Sequence, residues 1–139
     1  MVISAKVGSS SCTTFFKFGH LMVPRHNKQE RVSKERIFGV LSFYLLDKKI
    51  ELNVYQSIDS ADVKSNYLFL PFLDNTNGLS TYGGGRYMDL TVPKSDSIWL
   101  DFNTAYNPYC AYNELYSCPI VPRQNYIPLK VEAGVKRFK

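Results

Sequence analysis

Short runs of alternating hydrophobic and polar residues dominate the chain, and this alternation is the pattern of half-buried β-strands. In the segment Ile50–Ile58, for example, the apolar residues Ile50, Leu52 and Val54 occupy every second position. No stretch repeats apolar residues at helical spacing over several turns, so no long amphipathic helix is predicted. Short strands at close intervals favour an all-β fold, either a small sandwich or a partly open barrel of about seven strands.

Turn-forming residues divide these runs into separate strands. The predicted strands are Thr13–Val23, Ile37–Leu46, Ile50–Ile58, Tyr67–Phe72, Arg86–Val92, Ile98–Asn103 and Ile127–Val131. The second and third form a β-hairpin that turns at Asp47 and the lysines after it. Residues 1–12 are expected to be frayed, because residues 8–11 consist of Gly and Ser. A polar segment before the fourth strand allows a helical turn at Ser60–Val63.

Two segments lack strand periodicity. Residues 74–85 (DNTNGLSTYGGG) are rich in Gly and Asn, and residues 104–126 contain three Pro with frequent Asn and Tyr. Because long structureless segments are uncommon in compact domains, we expect the aromatic side chains of the second to pack it over the sheet as an ordered lid. A chain of 139 residues is expected to form a single domain covering residues 1–139.

Charge and hydropathy exclude some partners. The net charge is +5, and the excess of Lys and Arg falls before Ile37. A basic arm can attract nucleic acid, but the aromatic residues that would stack on bases lie downstream, where the charges balance. We therefore expect no nucleic-acid partner. No apolar run is long enough to span a membrane, and the N-terminus lacks the apolar core of a signal peptide.

The chain contains three cysteines, Cys12, Cys110 and Cys118. No Cys-x-x-Cys spacing occurs, so a zinc site is not indicated. A disulfide between Cys110 and Cys118 is sterically possible but not required. Thiols without a disulfide framework fit a reducing compartment, and a cytoplasmic location is predicted.

Two predicted strands, Arg86–Val92 and Ile98–Asn103, are separated by a short turn and would form a hairpin that places Asp89 opposite Asp101. Directly opposed carboxylates repel each other. A basic side chain between the two carboxylates would relieve the repulsion, and so would a bound Ca²⁺ or Mg²⁺. A proton retained on one carboxyl would also relieve it, which is how a general acid arises. The alternative is a solvent-exposed face on which water screens both charges.

The stretch Gly83-Gly84-Gly85-Arg86 allows two interpretations. Its backbone N–H groups and guanidinium could form a nest for an anion, or its glycines could make a tight turn before a strand. Cys110 also has two possible interpretations. It could be a nucleophile if its pKa were lowered, although no histidine lies near it in sequence, or it could be a buried inert thiol.

Three segments of the chain resemble the family of uncharacterised microbial proteins known as domain of unknown function 1684. They are PFLDNTNGLSTYGGGRYMDL, LDFNTAYNPYCAYN and YSCPIVPRQNYIPLKVEAGVK, so the resemblance covers about residues 67–136. The hairpin at Arg36–Gln56 also resembles the family. The resemblance implies no reaction, substrate or cofactor. It implies matches to the family motif at Asp74, Thr76, Gly78, Tyr82, Gly83, Gly85, Arg86, Tyr87, Asp101, Asn103, Tyr106, Asn107, Cys110, Tyr112, Asn113, Cys118 and Asn125.

If the polar residues of loops 74–86 and 103–113 converge, they form a site for a small polar or anionic molecule, and the chain is a ligand-binding β module. The candidate ligand-binding residues are Arg86, Tyr82, Gly84, Asn103, Tyr106, Asn107, Tyr112 and Asn113. One alternative is a hydrolase-like enzyme at the same site, with Asp101, Cys110 and Asp89 as catalytic candidates and Asp89 and Asp101 as metal ligands. A second alternative is a structural or interaction domain. The strand Thr13–Val23 could also pair with a second copy to form a homodimer.

Overall fold

The structure is a computed structural model that describes residues 1–9, 13–19, 32–57, 66–113 and 118–138. Residues 20–23 of the first predicted strand and the predicted helical turn at Ser60–Val63 lie outside this part of the chain.

The described residues form a curled antiparallel sheet with the shape of a half-barrel, so the predicted all-β, partly open barrel is confirmed. The strands are β1 Val2–Ser9, β2 Thr13–Gly19, β3 Val32–Leu45, β4 Lys48–Ser57, β5 Tyr67–Asp74, β6 Arg86–Thr91, β7 Ser97–Asp101, β8 Cys118–Pro119 and β9 Tyr126–Ile127. Short 3-10 turns occur at η1 Phe102–Thr104, η2 Tyr109–Ala111 and η3 Arg123–Asn125. No helix in the described segments is long and apolar enough to cross a membrane.

The central path of the sheet runs in the order β6-β5-β4-β3-β1-β7. Strand β2 pairs with β3, β8 pairs with the end of β2 at Phe18–Gly19, and β9 pairs with β5 in parallel. The predicted hairpin of β3 and β4 is confirmed. Its turn residues are Leu46 and Asp47, with φ angles of 48° and 65°, as a two-residue hairpin turn requires. A homodimer through β2 remains a prediction.

The expectation of a frayed N-terminus is wrong for the residues of β1. This strand pairs with β7 through Val2–Lys6 and with β3 through Lys6–Ser9. Two ladders of backbone hydrogen bonds therefore hold the segment in place, although its Gly and Ser residues have a low propensity for β-strands.

The predicted hairpin of β6 and β7 is also wrong. Strand β6 pairs with β5, which places Asp89 opposite Phe69, and β7 pairs with β1, which places Asp101 opposite Val2. The two strands lie at opposite ends of the strand order. Alternation correctly assigned Met88 to the core face, but it carries no information about which strand lies alongside.

The last predicted strand is shorter than expected. Only Tyr126–Ile127 is strand, and the chain continues to Val131 without pairing in a sheet. Val131 nevertheless is fully buried in the core, which accounts for the apolar pattern that predicted a strand there.

Most of the buried hydrophobic side chains form one core cluster. Leu41, Leu52, Leu100 and Phe102 in this cluster are completely shielded from solvent. The rings of Phe72 and Phe102 meet edge to face with centroids 5.5 Å apart. Burial of each such side chain stabilises the fold by about 1.5–3 kcal/mol.

Asn125 connects β4 to β5 with a buried side chain. Its Oδ1 accepts a hydrogen bond from the Asn53 N–H at 2.8 Å, and its Nδ2 donates to the carbonyls of Asn53 and Pro71 at 2.8 and 2.7 Å. The amide thereby supplies hydrogen bonds between two strands that, among the described residues, pair in register at Tyr55–Phe69.

We expect Asn125→Ala to lower the free energy of unfolding by about 2–4 kcal/mol, because it leaves buried backbone groups without partners. Urea denaturation followed by circular dichroism measures the change. Gln124→Ala on the same turn is the control, since this side chain is exposed, and we expect it to change stability by less than about 0.5 kcal/mol. Equal effects of the two substitutions would contradict the bridging role.

Candidate functional site: a tyrosine cleft and a thiol cavity

A cleft of about 450 Å³ opens beside β6 and is called here the tyrosine cleft. Its walls come from β5, β6, β8 and the segment after η1. The lining residues are Phe69, Tyr87, Asp89, Tyr106, Asn107, Pro108, Tyr109, Cys118 and Pro119. The volume lies within the range of small-molecule sites.

Tyr87 holds the walls of this cleft together. Its backbone N–H and carbonyl pair with those of Tyr106, both at 2.9 Å, and its ring meets that of Tyr106 edge to face. Its hydroxyl donates to the Pro119 carbonyl at 2.5 Å. The Tyr/Asn-rich segment is thus attached to the sheet at two points, and burial raises the pKa of Tyr87, which keeps the hydroxyl protonated.

Asp89 lies at the mouth of the cleft between two tyrosines. The hydroxyls of Tyr67 and Tyr106 both donate to its Oδ1 at 2.7 Å. Burial, together with the hydrogen bond to Asp89, raises the pKa of both tyrosines, so they remain donors at neutral pH. Among the described residues, none engages Oδ2 of Asp89, and this oxygen is left as an acceptor.

Asn107 presents a second acceptor. Its Nδ2 donates to the Tyr112 hydroxyl and to the Lys136 carbonyl, each at 3.2 Å. The side chain is 5% exposed, and its Oδ1 is buried without a hydrogen-bond partner in the described part of the structure. An unpaired buried carbonyl is costly, which points to a donor that the described residues do not supply.

A smaller cavity of about 30 Å³ adjoins the cleft and is called here the thiol cavity. Tyr82 and Gly84 line it from one loop, and Cys110 lines it from the other. The wall that it shares with the tyrosine cleft consists of Tyr87, Pro108, Cys118 and Pro119. Loops 74–86 and 103–113 therefore do meet.

Cys110 and Cys118 are both free thiols in this cavity. The backbone N–H of Cys110 donates to Sγ of Cys118 at 3.2 Å, and the Tyr82 hydroxyl lies 3.8 Å from Sγ of Cys110. The hydrogen bond from the Cys118 thiol, helped by that of Tyr82, lowers the pKa of Cys110 to about 7. Donating that hydrogen bond, together with burial, raises the pKa of Cys118.

Arg86, one of the predicted ligand-binding residues, lines neither of the two cavities. Its side chain is completely buried and donates to the carbonyls of Val131 and Ala133 at 2.7 and 2.6 Å. It also forms an ion pair of 3.4 Å with buried Asp74. Loss of solvent on burial lowers the pKa of Arg86, and Asp74 opposes this change. The guanidinium holds the C-terminal segment against the sheet and is not available to an anion.

Three further predicted residues lie away from the two cavities. Asp101 caps η1, where its Oδ1 accepts from the backbone and side-chain N–H groups of Asn103 at 3.0 and 2.9 Å. Asn113 is exposed after η2. The expected metal pair of Asp89 and Asp101 is not brought together, and the described residues contain no cluster of His, Cys, Asp and Glu side chains suited to a metal ion.

Sequence reasoning did place Tyr82, Gly84, Asp89, Tyr106, Asn107 and Cys110 at cavity-lining positions, and Tyr112 contacts Asn107. It missed Tyr67 and Phe69 on β5, and the two prolines Pro108 and Pro119. The first two could have been found only by pairing β5 with β6.

These features define the chain as an all-β half-barrel protein with an aromatic cleft beside one strand. The family model described as "Protein of unknown function (DUF1684)" matches residues 14–136, and the chain belongs to this family. No curated protein matches the chain.

One solved structure similar to this chain is the solution NMR structure of an uncharacterised protein from the gene locus rrnAC0354 of Haloarcula marismortui. The two sequences are 32% identical, and the match covers 97% of this chain and 70% of the other with a TM-score of 0.75. The similarity shows that this uncharacterised relative shares the fold.

Proposed function

We propose that this protein binds a small molecule in the tyrosine cleft. The observation that carries the proposal is Asp89, a carboxylate held at the cleft mouth by two tyrosine hydroxyls that leave one of its oxygens without a described partner. Tyr67 and Tyr106 fix the position of the carboxylate before any ligand arrives, and such preorganisation reduces the entropy lost on binding.

The polar groups of the cleft favour a ligand that donates hydrogen bonds. Both Asp89 and the buried Oδ1 of Asn107 are acceptors. The nearby guanidinium of Arg86 is enclosed in the core, so no described cation in the cleft would attract an anion. We therefore propose an amine or a hydroxyl compound as the ligand class, in place of the anion that the Gly-Arg sequence suggested.

The apolar walls suit a flat or aliphatic body on the same ligand. Phe69 and Tyr87 meet edge to face with ring centroids 4.7 Å apart, and Pro108 and Pro119 face the same cavity. A ring placed against these surfaces buries apolar area, while a polar end group reaches Asp89. The carboxylate–metal enzyme considered from the sequence has no such support, because its two aspartates lie on strands at opposite ends of the strand order.

The proposal is tested with three probes that share one ring and differ in end group: phenethylamine, 2-phenylethanol and phenylacetate. We expect phenethylamine to bind in the millimolar range, at least about tenfold more tightly than phenylacetate. Amide chemical shifts in ¹H–¹⁵N spectra measure affinity and location together. The shifts should concentrate at Tyr87, Asp89 and residues 106–109.

Asp89→Asn is the matched variant, because the amide oxygen can still accept from Tyr67 and Tyr106 while the charge is lost. We expect it to remove the preference for the amine over phenylacetate, a change of about tenfold. Asp96→Asn changes the net charge equally at an exposed site and should leave the preference intact. Equal binding of the amine and the acid by the wild-type protein, or shifts outside the cleft, would contradict the proposal.

A further inference from the structure

The two thiols of the thiol cavity occupy different environments. Cys110 lies in η2 and is half-buried, whereas Cys118 begins β8 and is 7% exposed. Both cysteines line a cavity of about 30 Å³, and Cys110 is the more exposed of the two. An accessible thiol next to a sheltered one is the arrangement that thiol–disulfide exchange requires of an attacking and a resolving cysteine.

The sulfur atoms are placed for bond formation. Sγ of Cys118 lies 3.2 Å from the backbone nitrogen of Cys110, which puts it within about 4.7 Å of the Cα atom of Cys110. Because the Cys118 sulfur already lies against the backbone of Cys110, rotation about the side-chain bonds of the two residues can bring their sulfurs towards bonding distance.

We propose that Cys110 and Cys118 form a redox-active dithiol, in which Cys110 attacks a small organic disulfide and Cys118 resolves the product. The inference does not depend on ligand binding in the tyrosine cleft.

The chemistry of the surroundings assigns the two roles. The thiolate is the nucleophile, and the hydrogen bonds from Cys118 and Tyr82 stabilise it on Cys110. The titratable groups that line the cavity around Cys110 are Tyr82 from loop 74–86, Tyr87 from β6 and Cys118 from β8. The pKa values of Tyr82, Tyr87 and Cys118 are all raised, so these groups stay protonated when Cys110 ionises near neutral pH.

The exchange proceeds in two balanced steps. The Cys110 thiolate attacks one sulfur of the disulfide RS–SR, the S–S bond breaks, and one RS⁻ leaves with a mixed disulfide remaining on Cys110. Cys118 then gives its proton to the solvent and attacks the Cys110 sulfur, which breaks the mixed disulfide and releases the second RS⁻. The two cysteines lose two electrons in forming their bond, and the organic disulfide is reduced to two thiols.

The test uses the full chain carrying Cys12→Ser, so that only the two thiols react. After incubation with oxidised glutathione at neutral pH, we expect peptide mass mapping to show a Cys110–Cys118 disulfide. Adding Cys118→Ser should trap a glutathione mixed disulfide at Cys110. Adding Cys110→Ser should reduce glutathionylation to a small fraction of that amount, since Cys118 is sheltered and protonated.

A measurement on the chain without serine substitutions covers the case in which these variants fail to fold. Iodoacetamide should alkylate Cys110 on the order of tenfold faster than Cys118, with a rate that rises to half its maximum near pH 7. A Cys110 rate that rises only above about pH 8, or the absence of a Cys110–Cys118 disulfide after oxidation, would overturn the proposal.

Discussion

Replacing Arg86 with methionine should lower the free energy of unfolding by about 3–5 kcal/mol, the largest effect that we expect from a single substitution. Methionine fills much of the space but leaves Asp74 as a buried carboxylate without its cation. It also leaves the carbonyls of Val131 and Ala133 without their donor. Urea denaturation followed by circular dichroism measures the loss, and the C-terminal segment should become the least protected part of the chain in hydrogen exchange.

The matched control is Arg123→Met, the same substitution at an exposed arginine, which we expect to change stability by less than about 0.5 kcal/mol. The double variant Asp74→Asn with Arg86→Met should lose less free energy of unfolding than the sum of the losses in the two single variants. The reason is that no lone charge remains in the core. If Arg86→Met costs no more than Arg123→Met, the buried ion pair does not hold this end of the fold.

The second large effect is expected at Gly85, where alanine should lower the free energy of unfolding by about 2–4 kcal/mol. Gly85 has a φ of +94°, and a Cβ added there would lie 2.7 Å from the Phe72 carbonyl oxygen and 2.8 Å from Cγ2 of Val121. Neither the backbone nor the packed Val121 can move aside without disturbing β5 or the chain that crosses it. Thermal and urea denaturation both report the loss.

Gly83→Ala provides the comparison within the same triple-glycine stretch. The nearest atom to its added Cβ is 3.8 Å away, and we expect stability within about 1 kcal/mol of the wild type. Similar losses at the two positions would argue against a specific requirement at Gly85. Of the two interpretations of this stretch, the structure supports the tight turn, because the Gly85 N–H donates to the Tyr82 carbonyl at 3.1 Å.

The position of the candidate site was predictable in part. The sequence places two polar loops around a strand, and Tyr82 from one loop and Cys110 from the other do line a common cavity. The sequence suggested an anion-binding site at Arg86, whereas the structure shows a buried ion pair between Arg86 and Asp74. An arginine that follows glycines in sequence is compatible with both. Only the packing of the C-terminal segment over Arg86 distinguishes them.

Asp89 also shows that the sequence did not predict contacts between distant segments. Alternation along β6 put its side chain on the face opposite Met88, which is correct, but the expected neighbour was Asp101. Its actual partners, the hydroxyls of Tyr67 and Tyr106, come from segments 22 and 17 residues away.

What the amino-acid sequence determined by itself is therefore most of the strands, though not β1 or β8, and the alternation of faces along strands such as β7. These features are local: Leu100 is buried and Trp99 is 70% exposed because successive side chains of a strand point in opposite directions. The tertiary structure decided which strands lie side by side, that Arg86 and Asp74 are enclosed together, and that Cys110 meets Cys118. Those outcomes depend on contacts between distant segments, whose geometry is fixed only when the whole sheet curls around its core.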